Sequence, residues 1–291
     1  LTREELEEVY TPQPHEVDWA DKKSKGMVQK LGLLTLLKTV QKQGFFTIVT
    51  EIPTGIIQYI ANHAHLLLPS DKEWSLYSQS RTYKRHCQFV REYLQIKPFN
   101  QDARKIMLDT MQMVSRVKDD SADYVNAAIE ELIRQRFELP VFHTLRNAAN
   151  ETRKQSYRQV YEYLYKQISQ QEKEKMDQLF QLEEGSSFSP WNHLKEDAKS
   201  ASITNLKDLL SQRDSILRLQ IDLDLLKQVP LIKVKQMAAE AKTLNANRMV
   251  EIEPKKRYAL TLSCVGVQLA HVLDNIGETL VKRMMSMHTK G

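Results

Sequence analysis

Residues Met27–Gly44 read MVQKLGLLTLLKTVQKQG, and this stretch decides the fold. Val28, Leu31, Leu34, Leu37 and Val40 recur at spacings of three and four, the period of one face of an amphipathic helix. Gly44 stands where such a helix is stopped. The flanking sequence repeats the signal. Pro53, at a first-turn position, opens a second helix with Ile56, Ile57, Ile60 and Ala61 on one side, running into Leu66–Pro69. A third is expected from about Ser80 to Gln95, with Tyr83, Cys87, Val90 and Leu94 inward. Three short helices with tight links make a module of the size that carries helix-turn-helix geometry.

After Pro98 the pattern begins again. Asp102 to Val117 sets Ile106, Met107, Met111 and Val114 on one side. Ser121 to Phe137 does so with Tyr124, Val125, Ala128, Ile129, Leu132 and Ile133. A helix past Pro140 starts near Phe142 with Leu145 and Ala149 inward, and further helices are expected over Ser156 to Ile168 and Gln170 to Leu182. Gly185 to Pro190 is the clearest linker signal. Beyond it come helices from Ser202 to Leu219 and Leu231 to Leu244, then a long one from Pro254 to about Met287. In this last helix Tyr258, Val265 and Val272 recur every seven residues, as do Leu262, Leu269 and Ile276, a seam that packs on another helix of the chain or of a partner. The expected architecture is all-α, with an acidic segment and first module over 1–97, a second module over 98–184, and a helical scaffold over 185–291.

Composition agrees. With 41% hydrophobic and 27% charged residues but only 8 Gly and 9 Pro in 291, the chain suits an ordered, soluble helical protein of two or three units. Cys87 and Cys264 stand far apart, so neither a disulfide framework nor a zinc cluster is indicated. No run approaches the roughly 20 apolar residues that span a bilayer, and there is no secretory start; a cytoplasmic location and no membrane partner are expected. The chain opens on Leu1, which reads as the interior of a longer protein.

Charge is unevenly spread. Leu1–Asp21 holds one Arg against seven acids, Lys72–Lys105 eight basic residues against three acids, and Arg134–Lys173 eight against four. Two basic segments separated by neutral ones suit a chain that follows a phosphate backbone, although a solvated helix surface gives the same count. The first cluster is Arg81, Thr82, Lys84, Arg85 and His86, with Arg91 a little further on. A helix start there offers free N–H groups and long cations to phosphates or guanine edges. In the second cluster Arg146, Asn147, Asn150 and Arg153 share an outer face, with Lys154 beside them. Arg and Asn carry the forks that match guanine and adenine edges, so this is the candidate base-reading helix. Lys255, Lys256 and Arg257 begin the last helix, where cations oppose the dipole unless an anion lies nearby.

Catalytic signals are negative. There is no Gly-rich loop ending in Lys and Ser or Thr, no His-Glu-x-x-His helix and no Gly-x-Ser-x-Gly elbow. Asp119-Asp120 and Glu130-Glu131 are adjacent pairs rather than carboxylates sharing one face, and no metal ligand or cofactor is expected.

Several stretches together resemble the N-terminal region of Tn-three-class transposases: Lys30-Leu31-Gly32 with Gln43-Gly44-Phe45-Phe46, Ile52-Pro53, Arg81-Thr82 with Arg85-His86, Val90–Leu94, Pro98-Phe99, Ala127–Arg136, Leu139-Pro140, Thr144-Leu145, Arg153, Asn205-Leu206, and Pro254–Tyr258 ahead of Thr261–Leu280. The similarity runs in order over nearly the whole chain. It implies a fragment that binds double-stranded DNA at terminal inverted repeats, while a metal-dependent acidic triad in a later region of the parent bacterial enzyme cuts and joins strands. Relatives often carry Arg at the place of Cys87 and Gly at that of Gln95. A homodimer through the C-terminal helices, or contact with the rest of the transposase, is a further expected partnership; the alternative function is a helical interaction scaffold or dimerisation module whose basic patches are ordinary, non-specific surface.

Overall fold

The computed structural model describes residues 2–182, 189–195 and 203–288, without the side chains of 203–205 and 286–288. The linker signal over Gly185–Phe188 therefore lies outside the described residues. Among those described, the fold is all-α, as expected, and contains no strand. In order the helices are α1 (Arg3–Tyr10), α2 (Pro14–Lys23), α3 (Met27–Gln43), α4 (Thr54–His63), α5 (Asp71–Ser78), α6 (Arg81–Leu94), α7 (Gln101–Val114), α8 (Ser121–Arg134), α9 (Phe142–Gln167), α10 (Gln170–Gln178), α11 (Pro190–Leu194), α12 (Ile203–Arg218), α13 (Leu231–Thr243), α14 (Ala246–Glu251) and α15 (Pro254–His288). They form two compact units, Leu1–Met111 with Ala122–Ala149, and Gln112–Ser121 with Asn150–Gly291. The division falls within α7 and α9.

The first unit is built around α3, which is enclosed rather than amphipathic. Every residue from Leu31 to Val40 is buried, including Leu33 and Leu36 on the side that the stripe left open. The neighbours explain this. The acidic opening folds into α1 and α2, whose acids serve helix starts: Thr2 and Glu5 form a reciprocal capping box, as do Gln13 and Glu16. Glu16 is itself buried and receives the Lys38 ammonium at 3.2 Å and the Gln41 amide at 2.8 Å, so the one lysine inside this core meets a carboxylate. A further helix, α5, stands between the second and third expected ones. Its Ser70–Glu73 capping box starts it, and the Trp74 indole donates to the Val49 carbonyl at 2.9 Å. Tyr77 of α5 lies on Gly32, where an added Cβ would come within 2.3 Å of the ring. The Tyr77 hydroxyl then shares a 2.8 Å hydrogen bond with His86 Nδ1.

Helices α6 and α8 end alike. Gln95 (φ 55°) and Arg136 (φ 59°) are left-handed, and the next residue in each case bonds back to the carbonyl five residues earlier, Ile96 to Arg91 at 3.0 Å and Phe137 to Leu132 at 2.9 Å. The two emerging segments then pair: Lys97 N–H donates to Arg136 C=O at 2.7 Å, and Glu138 N–H to Lys97 C=O at 2.8 Å. Gly44, left-handed at φ 77° as its place predicts, accepts from Leu139 N–H at 2.7 Å. Ile133, expected inward, is exposed, because the adjacent Leu132 takes the inward direction on the last turn of α8.

Helix α9, which enters the second unit at Asn150, is one continuous 26-residue helix where two helices were expected. Ser156 looks like a helix start but is a buried mid-helix hydroxyl. The α15 seam is covered by its own chain through Val272: Tyr258, Leu262 and Val265 are buried in a core with Leu164, Met176, Trp191, Met237 and Met249. By length and composition Pro254–Met285 could cross a bilayer, yet half of its most apolar window lies inside this core, the mark of a central helix. Past Val272 the helix exposes Leu273, Leu280, Val281, Met284 and Met285.

Two stability outcomes follow. A Gly→Ala change inside a helix ordinarily gains about 1 kcal/mol, but overpacking costs about 1–3 kcal/mol or more, and the ring on Gly32 has a buried hydroxyl anchor. Gly32→Ala should therefore lower the urea midpoint, and an unchanged or raised midpoint would contradict the packing. His86 is held neutral: burial first, then the Arg85 cation, pushes its pKa down to about 4. Between pH 4 and the unfolded value of about 6.5 the unfolded chain binds more protons, so stability should fall as pH drops through that window and be unaffected above it. Urea titrations at pH 7 and 4.5 should show a smaller difference in His86→Gln than in the parent; equal differences would remove the assignment.

Candidate nucleic-acid interface

Helix α6 starts on Ser80, whose Oγ accepts from Tyr83 N–H at 3.1 Å and donates to the Tyr77 carbonyl at 2.7 Å. Its apolar side, Tyr83, Cys87 and Val90, packs into the first core, and this leaves Arg81, Lys84 and Arg85 exposed with Thr82 half-buried between them. None of these three cations has an ion pair with another described residue. They stand in or beside the first turn, which contains no acid, so like charge is concentrated on the positive end of the helix dipole. An anion from outside would relieve that arrangement.

Two residues expected in this cluster belong elsewhere. His86 is wholly buried, bonded to Tyr77 and stacked beside Phe89, and is withdrawn from the contact surface. Arg91 turns inward: Nε and Nη2 reach the two Glu138 oxygens at 2.8 and 3.4 Å, and the guanidinium lies 4.8 Å from the centre of the Phe46 ring. Glu138 also accepts from Phe99 N–H at 3.0 Å.

On α9, Leu145 and Ala149 are buried as expected, and Arg146, Asn147, Asn150 and Lys154 are exposed. The helical period puts these four within one side of the cylinder. Arg146 has no hydrogen-bond or ion-pair partner among the described residues. The Asn147 amide contacts the His143 ring at 3.1 Å, and Asn150 Oδ1 accepts from Ser121 Oγ at 3.1 Å, so both are partly engaged. Arg153 departs from the outer set. It donates to the Asp119 carboxylate at 2.6 Å and to the Asp119 carbonyl at 2.9 Å, and covers the Tyr157 ring at 5.3 Å. Asp119, which the sequence shows only as one of an adjacent carboxylate pair, is its counter-charge. Neither Glu138 nor Asp119 could be found as a partner from sequence, since 47 and 34 residues separate the pairs. Cys87 and Cys264 are free thiols, both buried, and burial pushes both pKa values up.

Thus the basic residues divide. Arg91, Arg153 and Lys38 are neutralised inside the protein, whereas Arg81, Lys84, Arg85, Arg146 and Lys154 face outward. The outward set is what a polyanion would meet.

Residues 1–152 match the family described as Domain of unknown function (DUF4158). The chain is also similar to the transposase for transposon Tn501 of Pseudomonas aeruginosa, with 21% identity over 254 residues, which covers 87% of this chain and 25% of that protein. It spans about a quarter of that relative's length. The chain belongs to the Domain of unknown function (DUF4158) family, and the two findings together support its reading as the N-terminal region of a Tn-three-class transposase.

Proposed function

We propose that this chain binds double-stranded DNA and recognises the terminal inverted repeats of a transposable element, in the bacterial cytoplasm, as the addressing part of a replicative transposase. The observation that carries this reading is the set of exposed, uncompensated cations on α6 and α9, whereas Arg91 and Arg153 of the same two helices are held by carboxylates. Arg81, Lys84, Arg85 and Lys154 would take phosphates, with Thr82 as a hydroxyl donor. Arg146 is the principal base reader, because a guanidinium without an internal partner is free to fork onto a guanine edge, and Asn147 and Asn150 would exchange their internal contacts for adenine edges. Strand cutting and joining would belong to the rest of the transposase. The exposed apolar end of α15 supports a second role, contact with another copy or with that remaining region.

The division of labour is measurable by titration of the chain against its own terminal repeat and a scrambled duplex at two salt concentrations. Arg146→Ala should reduce the preference for the repeat by about 5- to 100-fold, the range of one bidentate base contact. Lys84→Ala should weaken both duplexes equally and lower the salt slope by about one. Equal affinity of the unmodified chain for both duplexes would overturn specific recognition.

A further inference from the structure

Among the described residues two lysines are buried, with opposite surroundings. Lys38 meets Glu16, as described. Lys233, in the first turn of α13 and only 1% exposed, meets no carboxylate among the described residues. Its ammonium donates to the Ser156 hydroxyl, which in turn lies 3.4 Å from Ser115 Oγ, and it stands 4.9 Å from the centre of the Tyr157 ring. A hydroxyl and a ring face do not neutralise a buried cation, and leaving one uncompensated is costly. The helix makes matters worse: the first turn of α13 contains no acid, and a cation there opposes the positive end of the dipole. Burial lowers the Lys233 pKa, the Asp119 carboxylate acts to raise it and Arg153 to lower it further, but Asp119 is already bound by Arg153.

Lys233 lines a cavity of about 220 Å³ within the second unit. Arg116, Ser156, Gln112, Gln159 and Tyr163 share that lining, and no Asp or Glu does. Arg116 is exposed and has no ion pair with a described residue. Two cations, several neutral hydrogen-bonding side chains and an uncapped helix start thus border a space large enough for several waters at about 30 Å³ each, with the Lys233 ammonium behind the Ser156 hydroxyl. The chemistry that fits is a tetrahedral oxyanion: it supplies the negative charge Lys233 lacks, complements the dipole, and accepts from hydroxyl and amide donors.

We propose that this cavity is a phosphate-binding site, with Lys233 as its buried anchor and Arg116 as its outer cation. The site stands apart from the α6 and α9 surface and does not depend on the DNA reading. Its occupant is either free phosphate or a backbone phosphodiester.

The test is calorimetric titration of the chain with inorganic phosphate, and its thermal unfolding, against chloride at equal ionic strength. Phosphate should bind and raise the Tm by about 2–4 °C where chloride does not. Lys233→Met should abolish that response and unfold at an equal or higher temperature without phosphate, since it removes an unpaired buried charge. Arg116→Gln, a surface change that spares folding, should weaken phosphate binding at least about tenfold and decides the matter if the first variant fails to fold. A parallel titration with duplex DNA separates the sources. Competition by phosphate, with a salt slope lowered by about one in Lys233→Met, assigns a phosphodiester; unaffected duplex binding with intact phosphate heat assigns free phosphate. No phosphate heat and no change of duplex binding in either variant would overturn the site.

Discussion

One carboxylate ties three segments of the first unit together. Glu138 accepts from Arg91 near the end of α6 and from the backbone of Phe99 ahead of α7, and it sits in the segment that leaves α8 and leads to α9. Its own N–H closes the bridge to Lys97. One residue therefore fixes how two helix ends leave their left-handed turns, and the cations of α6 and Arg146 of α9 start from the elements it joins. A guanidinium used in this way is not available to a ligand, which is why the position of Arg91 near the other cations misleads.

Legibility followed the range of the interactions. The bounds of α3, the stripe of α4, the Ser80 start of α6 and the Gly44 stop were readable because caps and periodicity act within a few residues. The enclosure of α3 was not, because it is imposed by α1, α2 and α5, and α5 itself is only eight residues with two buried aromatics. Ser156 misled because Ser favours helix starts in general, and only the distant Lys233 explains a hydroxyl at mid-helix. Gln95 at φ 55° holds a left-handed turn that glycine adopts without strain, and nothing in the local sequence marked it. Cys87 faces the core, so the place does not serve as a surface contact in this chain.

For the candidate site the sequence located both clusters but not their division. Of eleven residues, His86, Arg91 and Arg153 are withdrawn into the fold, two of them by acids that no local pattern connects to them, and Asn147 and Asn150 are partly engaged. Charge counted along the chain measures supply; what is available to a ligand is what the fold leaves unpaired.

The central claim is that the exposed cations at the starts of α6 and α9 are the surface presented to DNA. Hydrogen–deuterium exchange of the chain with and without its terminal-repeat duplex tests this most directly. The account predicts slower exchange over 80–86 and 143–154 on binding. Tight binding that leaves both segments unchanged, with protection confined to other helices, would contradict it.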